Sequence, residues 1–421
     1  MVVLLAGGLW VGLALLGVGL AGMVFFTSAP AGTVMATTVW GASGNWALTA
    51  LPLFIWMAEI LFRTRLSDDM FRGLAPWLTR LPGRLMHVNV VGCGIFAAVS
   101  GSTSATCATI AKIALPELMR RGYDERMAIG TLTASGTLGI LIPPSIMMIV
   151  YGFIAEVSIA RLFIAGVVPG IMMVVFFMAY VVVWAWLNPG KTPPSDIVMT
   201  FRERVWSSRR LIPVLCLIAL VVGTIYGGIA TPTEAATIGV LGALALSFVY
   251  GSLTRANFVE SLVGATQTSC MIAFILAGAS FLTIAMGYTG IPRAAAAWIT
   301  SQQLSTYGLL AALTLLYVLL GFALDGISMV VLTSSVVQPM IREAGIDPVW
   351  FGIYIVLLVQ VAELTPPVGF PMFIMQMMTG RSLTYVSRAA LPFFCLLLLG
   401  TAVIVVFPDL VTYLPNRMLN R

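Results

Sequence analysis

Two clusters of small polar residues interrupt otherwise apolar sequence, and each is followed at a distance by a pair of prolines. Ser100, Gly101, Ser102, Thr103 and Ser104 separate apolar arms at 84–99 and 105–119, and Leu141-Ile142-Pro143-Pro144-Ser145 follows. Leu324-Asp325-Gly326-Ile327-Ser328 separates arms at 306–323 and 328–343, and Leu364-Thr365-Pro366-Pro367-Val368-Gly369 follows. Hydroxyls at such tips, facing carbonyls freed where a helix breaks, form a small cage of oxygens suited to a hard monovalent cation such as sodium. The candidate ligands are Ser100, Gly101, Ser102 and Thr103 with Gly139 and Pro143 in the first set. In the second they are Asp325, Gly326 and Ser328 with Ala362, Glu363 and Thr365. The competing reading is that these hydroxyls merely bond back to helix carbonyls, as Ser and Thr often do in membrane helices.

Asp325 is the sharpest of these signals. An ionised Asp at the centre of a span costs roughly 2.5 to 3.5 kcal/mol on insertion scales and needs compensation. A bound cation would compensate it; so would a proton, or a role as N-cap of the second hairpin arm. Glu363 gives a similar but weaker signal, because a helix break beside it admits water. Lys112 could attract an anion from about two and a half turns beyond the first tip, but snorkelling to the hairpin base explains it more simply. His87 and Asn89 read as hydrogen-bonded packing residues. One histidine and five cysteines standing singly in apolar runs offer neither a transition-metal cluster nor a hydrolytic triad. Thr231-Pro232-Thr233-Glu234 reads as a capping box opening a helix, and Asp124 and Asp347 read as helix N-caps.

The elements that position these residues must lie in a membrane. Of 421 residues only 9% are charged, against roughly 25% in a soluble domain, and 60% are hydrophobic. The mean hydropathy of +1.02 leaves too little polar surface for a water-soluble globule. The formal charge of +6 is spread over short loops without a basic stripe, which argues against nucleic-acid binding. Plain spans are expected near 3–26, 46–62, 160–187, 211–230, 233–250, 263–285 and 389–411. The first lacks a basic leader and a cleavage site, so it reads as a retained span. Arms of about 16 residues are too short to cross about 30 Å comfortably, so the tip-bearing segments read as re-entrant helical hairpins.

One ungapped offset of 223 residues places Pro116 on Pro339, Gly122 on Gly345, Asp124 on Asp347, and Leu141-Pro143-Pro144 on Leu364-Pro366-Pro367. This is an internal repeat. If the base of the first hairpin is cytoplasmic, every basic residue except Lys112, Arg161, Arg293, Arg342, Arg417 and Arg421 falls on that side. That holds only if the helix at 211–230 is an odd crossing that inverts the second repeat. The expected layout is a first inverted repeat at 1–190, with a hairpin at about 84–121 and a broken helix at about 124–157. A basic cytoplasmic loop at 191–210 leads to the connecting helix and the second repeat at 211–421, with a hairpin at about 306–343 and a broken helix at about 347–378. The fold class is therefore an all-α polytopic membrane protein of two inverted-topology repeats, each with a re-entrant hairpin and a Pro-Pro-broken helix.

Several motifs in order carry a resemblance: VSGSTSAT at 99–106, PELMRRGYD at 116–124, TLGILIPPSI at 137–146, IVYG at 149–152, TPTEAA at 231–236, GIDPVWFG at 345–352 and LTPPVG at 364–369. Over nearly the whole chain they resemble the large membrane subunit of tripartite ATP-independent periplasmic (TRAP) transporters. The resemblance implies an elevator-type fold and a sodium-coupled importer of small organic acids, such as C4-dicarboxylates or sialic acid, in the bacterial inner membrane. It further implies two protein partners, a small four-helix membrane subunit (Q-type) and a periplasmic substrate-binding protein (P-type), with the bilayer around them and Na+ as the coupled ion. On this reading Ser102, Thr103, Ser104, Gly326 and Ser328 face the carboxylate substrate. The two hairpins and broken helices then form a mobile unit, with the remaining helices as scaffold. The alternatives are a stand-alone ion-coupled anion carrier of similar architecture, or a structural or channel-like subunit; neither they nor the resemblance suggests an enzyme.

Overall fold

The computed structural model describes residues 4, 5, 7–64, 66–193, 199–291, 294, 305–322, 324–365 and 369–419. They form nineteen α-helices, with no strand among the described residues. Before the first hairpin come α1 (Val11–Phe26), α2 (Ala31–Ser43), α3 (Ala50–Phe62) and α4 (Leu66–Leu78). The hairpin arms are α5 (Met86–Ser100) and α6 (Thr103–Arg120), the broken helix is α7 (Glu125–Gly136) and α8 (Ile146–Ala155), and α9 (Ile159–Leu187) closes the half. Then come α10 (Phe201–Ser208), α11 (Ile212–Tyr226), α12 (Pro232–Val249) and α13 (Arg255–Thr289). The second hairpin is α14 (Thr306–Leu320) and α15 (Gly326–Glu343), followed by α16 (Pro348–Glu363), α17 (Phe370–Thr379), α18 (Leu383–Val406) and α19 (Asp409–Leu419).

By length and composition α9, α12, α13 and α18 can each cross a membrane alone, and two bent pairs, α2 with α3 and α10 with α11, supply a crossing apiece if counted together. The arm α5, at 15 residues, is only about 22 Å long. The second arms α6 and α15 start and stop 223 residues apart, as do the starts of α7 and α16. Helix starts follow local chemistry. Asp124 accepts from the Met127 amide at 2.9 Å and Asp347 from the Trp350 amide at 2.8 Å. Thr231 and Glu234 form the reciprocal capping box, with the Thr231 amide 2.8 Å from Glu234 Oε2.

Several boundaries differ from the sequence expectation. Within the expected 3–26 run, α1 begins at Val11, after a turn at Gly7 and Gly8, and α2 is an unforeseen helix because its Gly, Thr and Ser dilute the apolar signal. The segment expected as a loop at 191–210 contains α10, opened by a capping box of Thr200 and Glu203. α4 escaped notice because it is amphipathic rather than apolar: Met70, Leu74 and Ala75 are buried while Arg72 and Trp77 are exposed. The last span ends at Val406 rather than 411, since Pro408 cannot continue a helical ladder. Pro366, Pro367 and Val368 of the second break lie outside the described residues.

Packing divides the helices into two groups. α3 and α13 lie together, with α12 on α3, and α1 and α2 on α13. The hairpins and broken helices form the other group in a crossed arrangement: α6 packs on α17 of the other half, and α15 on α8. That crossing is what a two-fold relation between the halves produces. The axis is marked by Gln360 Nε2, which donates to the carbonyl of Thr137 at 2.7 Å across a separation of 223 residues, one repeat length. α18 packs along α7, and α9 along α16 and α18, so α9 and α18 belong with the hairpins. Each is the neighbour of a broken helix, and the two meet each other in the edge-on contact of Phe177 with Phe393.

Candidate functional site

The first tip is held by backbone geometry. Gly101 adopts φ +59°, which closes α5 on the Ala97 carbonyl, and its own carbonyl accepts from the Ile146 amide beyond the first break at 3.3 Å. A Cβ on Gly101 would lie 3.0 Å from the Pro144 oxygen, so tip and break approach as closely as glycine allows. Gly139 stands against the Ser102 carbonyl in the same way. That carbonyl accepts from Thr106 Oγ1 at 2.8 Å, and Ser100 Oγ lies 2.6 Å from the same hydroxyl. Ser100, Thr106 and Pro143 are buried, Ser102 and Ser104 half-buried. No side-chain cap bond occupies the Ser102 hydroxyl.

At the second tip Asp325 is the N-cap of α15. Its carboxylate accepts from the Ser328 amide at 3.2 Å and from the Ser328 hydroxyl. Asp325 itself is exposed, contrary to a carboxylate sealed in mid-span, although the first turn of α15 that it caps is largely buried. Gly326 and Ser328 are buried. The arms of the first hairpin pack along each other, whereas α14 and α15 stand further apart and are bridged by the Tyr317 and Thr333 hydroxyls. At the second break Ala362 packs against Gly321, and the Thr365 hydroxyl donates back to Val361 at 2.8 Å, the structural role weighed for such residues.

Glu363 joins the two halves. Its Oε2 accepts from Thr103 Oγ1 of the first tip at 2.8 Å, while its Oε1 lies where a Cβ on Gly326 of the second tip would come within 3.0 Å. No Lys, Arg or His pairs with it among the described residues, and the Asp325 carboxylate adds negative charge within electrostatic reach. Oxygen ligands and unbalanced anionic charge fit a hard cation. The structure thus brings together Ser100, Gly101, Ser102, Thr103, Gly139 and Pro143, and ties them through Thr103 to Glu363 and Gly326. Thr106 and the weight of Glu363 escaped sequence reasoning. Thr106 had a local signal, four residues after Ser102 on one helix face; the Thr103 pairing spans 260 residues and had none. Outside the cluster, Lys112 is exposed. His87 Nε2 contacts the Pro82 carbonyl at 2.6 Å, and Asn89 donates to Thr131 at 2.9 Å, both in packing roles. The five cysteines are free, two of them buried.

The family model described as "Tripartite ATP-independent periplasmic transporter, DctM component" matches residues 1–410. The chain belongs to the DctM family. It is therefore a membrane transporter component and not an enzyme. The C4-dicarboxylate TRAP transporter large permease protein DctM of Pseudomonas aeruginosa is 31% identical to this DctM-family chain, over 91% of it and 89% of the relative. The sialic acid TRAP transporter large permease protein SiaM of Vibrio cholerae is 27% identical over 99% and 97%. Among solved structures the YdaH transporter of Alcanivorax borkumensis superposes with a TM-score of 0.63 at 13% identity, covering 88% of this chain and 86% of that one, which establishes a shared fold.

Proposed function

We propose that this DctM-family chain is the translocating subunit of a sodium-coupled importer of small organic acids, with C4-dicarboxylates, sialic acid or related carboxylates as substrates. The observation that carries the reading is Glu363, a carboxylate held between two polar hairpin tips with no basic partner among the described residues. A sodium ion taken up with the substrate supplies the missing charge. The oxygens nearest it are those of Ser100, Ser102, Thr103 and Glu363, with Asp325 and Ser328 on the second side. Ser102, Thr103, Ser104, Gly326 and Ser328 then face the substrate, and the carboxylate substrates named for the two relatives support its class. The hairpins, broken helices, α9 and α18 move as one body against α1–α3 and α11–α13. A periplasmic binding protein delivers the substrate and a small four-helix subunit completes the complex in the inner membrane.

The test is uptake by proteoliposomes containing the complex, screening dicarboxylates, sugar acids and keto acids with and without a sodium gradient. Uptake of at least one acid that collapses when sodium is replaced by choline is the expected result. Uptake indifferent to sodium for every acid transported overturns the coupling.

A further inference from the structure

A cavity of about 560 Å3 lies away from the hairpin tips, between α4, the base of α6 and the junction of α10 with α11. Its walls carry Arg72, Arg120, Arg121 and Arg210 against a single acid, Glu117. Glu117 is already engaged, by Arg120 at 2.7 Å and Arg121 at 2.6 Å. Neither Arg72 nor Arg210 forms an ion pair among the described residues. Cations gathered around one concavity repel one another unless an anion enters.

The surroundings indicate what the anion is attached to. Trp77 of α4 is exposed and bonds Ser208 Oγ at 2.6 Å, with Phe201 edge-on to its ring at 6.1 Å. Trp206 is exposed beneath the Arg209 guanidinium, 3.7 Å from the ring centre. Exposed tryptophans interleaved with arginines are the composition of a membrane–water interface. Guanidinium groups match phosphate oxygens with two parallel hydrogen bonds, and basic pockets on the cytoplasmic side of membrane proteins suit acidic headgroups. We propose that this cavity is a binding site for the phosphate of an anionic phospholipid headgroup, held by Arg72 and Arg210. Bound there, the headgroup ties the surface helices α4 and α10 to the base of the first hairpin.

The full chain is purified into nanodiscs of phosphatidylcholine doped with phosphatidylglycerol, and the lipid retained after detergent extraction is measured by native mass spectrometry. Wild type retains phosphatidylglycerol over phosphatidylcholine. Arg72→Ala with Arg210→Ala lowers that retention about tenfold, the loss of charge-assisted bonds. The milder pair Arg72→Lys with Arg210→Lys, which keeps charge without the fork, falls between and guards against misfolding of the first. Arg161→Ala with Arg417→Ala leaves retention unchanged. Equal retention in wild type and both cavity variants overturns the site. Protection of the chain by inorganic phosphate alone, with no phosphatidylglycerol retained, overturns the lipid assignment in favour of free phosphate.

Discussion

A carboxylate between two hairpin tips must be balanced when the site is closed, and that requirement separates Glu363 from the hydroxyls around it. Glu363→Gln keeps the size and one acceptor oxygen but removes the charge. Sodium-stimulated uptake is expected to fall on the order of tenfold or more, while the protein still folds and binds its partners. Thr103→Val, which deletes the donor to Glu363, is expected to weaken the sodium response less. A sodium response unchanged in both would remove Glu363 from the site. Asp325 poses a different question, since it is a cap as well as a charge. Asp325→Asn preserves the capping acceptor and Asp325→Ala does not, so Ala alone should cost about 1 kcal/mol of stability. If uptake fails in both, the charge matters; if only Ala fails, Asp325 serves α15 alone. The sequence pointed to Asp325 because an acid in an apolar run is conspicuous. It underrated Glu363 because the partners of Glu363 come from both distant tips, and such a meeting has no local trace.

At the scale of elements, the site depends on loops pressed against loops. A methyl on Gly139 would run into the Ser102 carbonyl that the Thr106 hydroxyl also approaches. Gly139→Ala should therefore destabilise by about 1 to 3 kcal/mol, as overpacking does. Gly17→Ala in α1, where a Cβ meets nothing within 4 Å, should be neutral or slightly stabilising. Thermal unfolding in detergent distinguishes them, and equal melting temperatures would show that the first tip and break are not in firm contact. Hairpins were legible because their tips and ends are punctuated by Gly, Pro and Asp at a fixed offset. α2, α4 and α10 were not, because a helix that is short, amphipathic or diluted by Thr and Gly leaves no long apolar run.

For the molecule as a whole, the proposed transport cycle makes the division into two helix groups the place where movement is tested. Phe54 of α3 and Phe163 of α9 meet edge-on across that division, with ring centres 6.1 Å apart. In a chain with Cys93, Cys107, Cys216, Cys270 and Cys395 replaced by Ala, Phe54→Cys with Phe163→Cys is joined by a short bis-methanethiosulfonate cross-linker, which attaches to each cysteine through a reducible disulfide. Uptake should then stop and return on reduction. The pair Gly12→Cys with Phe274→Cys joins α1 to α13 inside one group and should leave uptake intact. Transport persisting through the first cross-link would exclude relative movement of the groups. The repeat was readable from one offset, yet the grouping of α9 and α18 with the hairpins was not, since their uniform apolar faces suit lipid and protein equally. The bond from Gln360 to Thr137 joins a position to its own counterpart. Suppose the two halves trade conformations during a cycle: every contact between non-equivalent positions must then be remade with new partners, but a contact on the axis maps onto itself. Gln360 and Thr137 are thus the fulcrum of such an exchange, the place where the protein can stay bonded while everything around it changes sides.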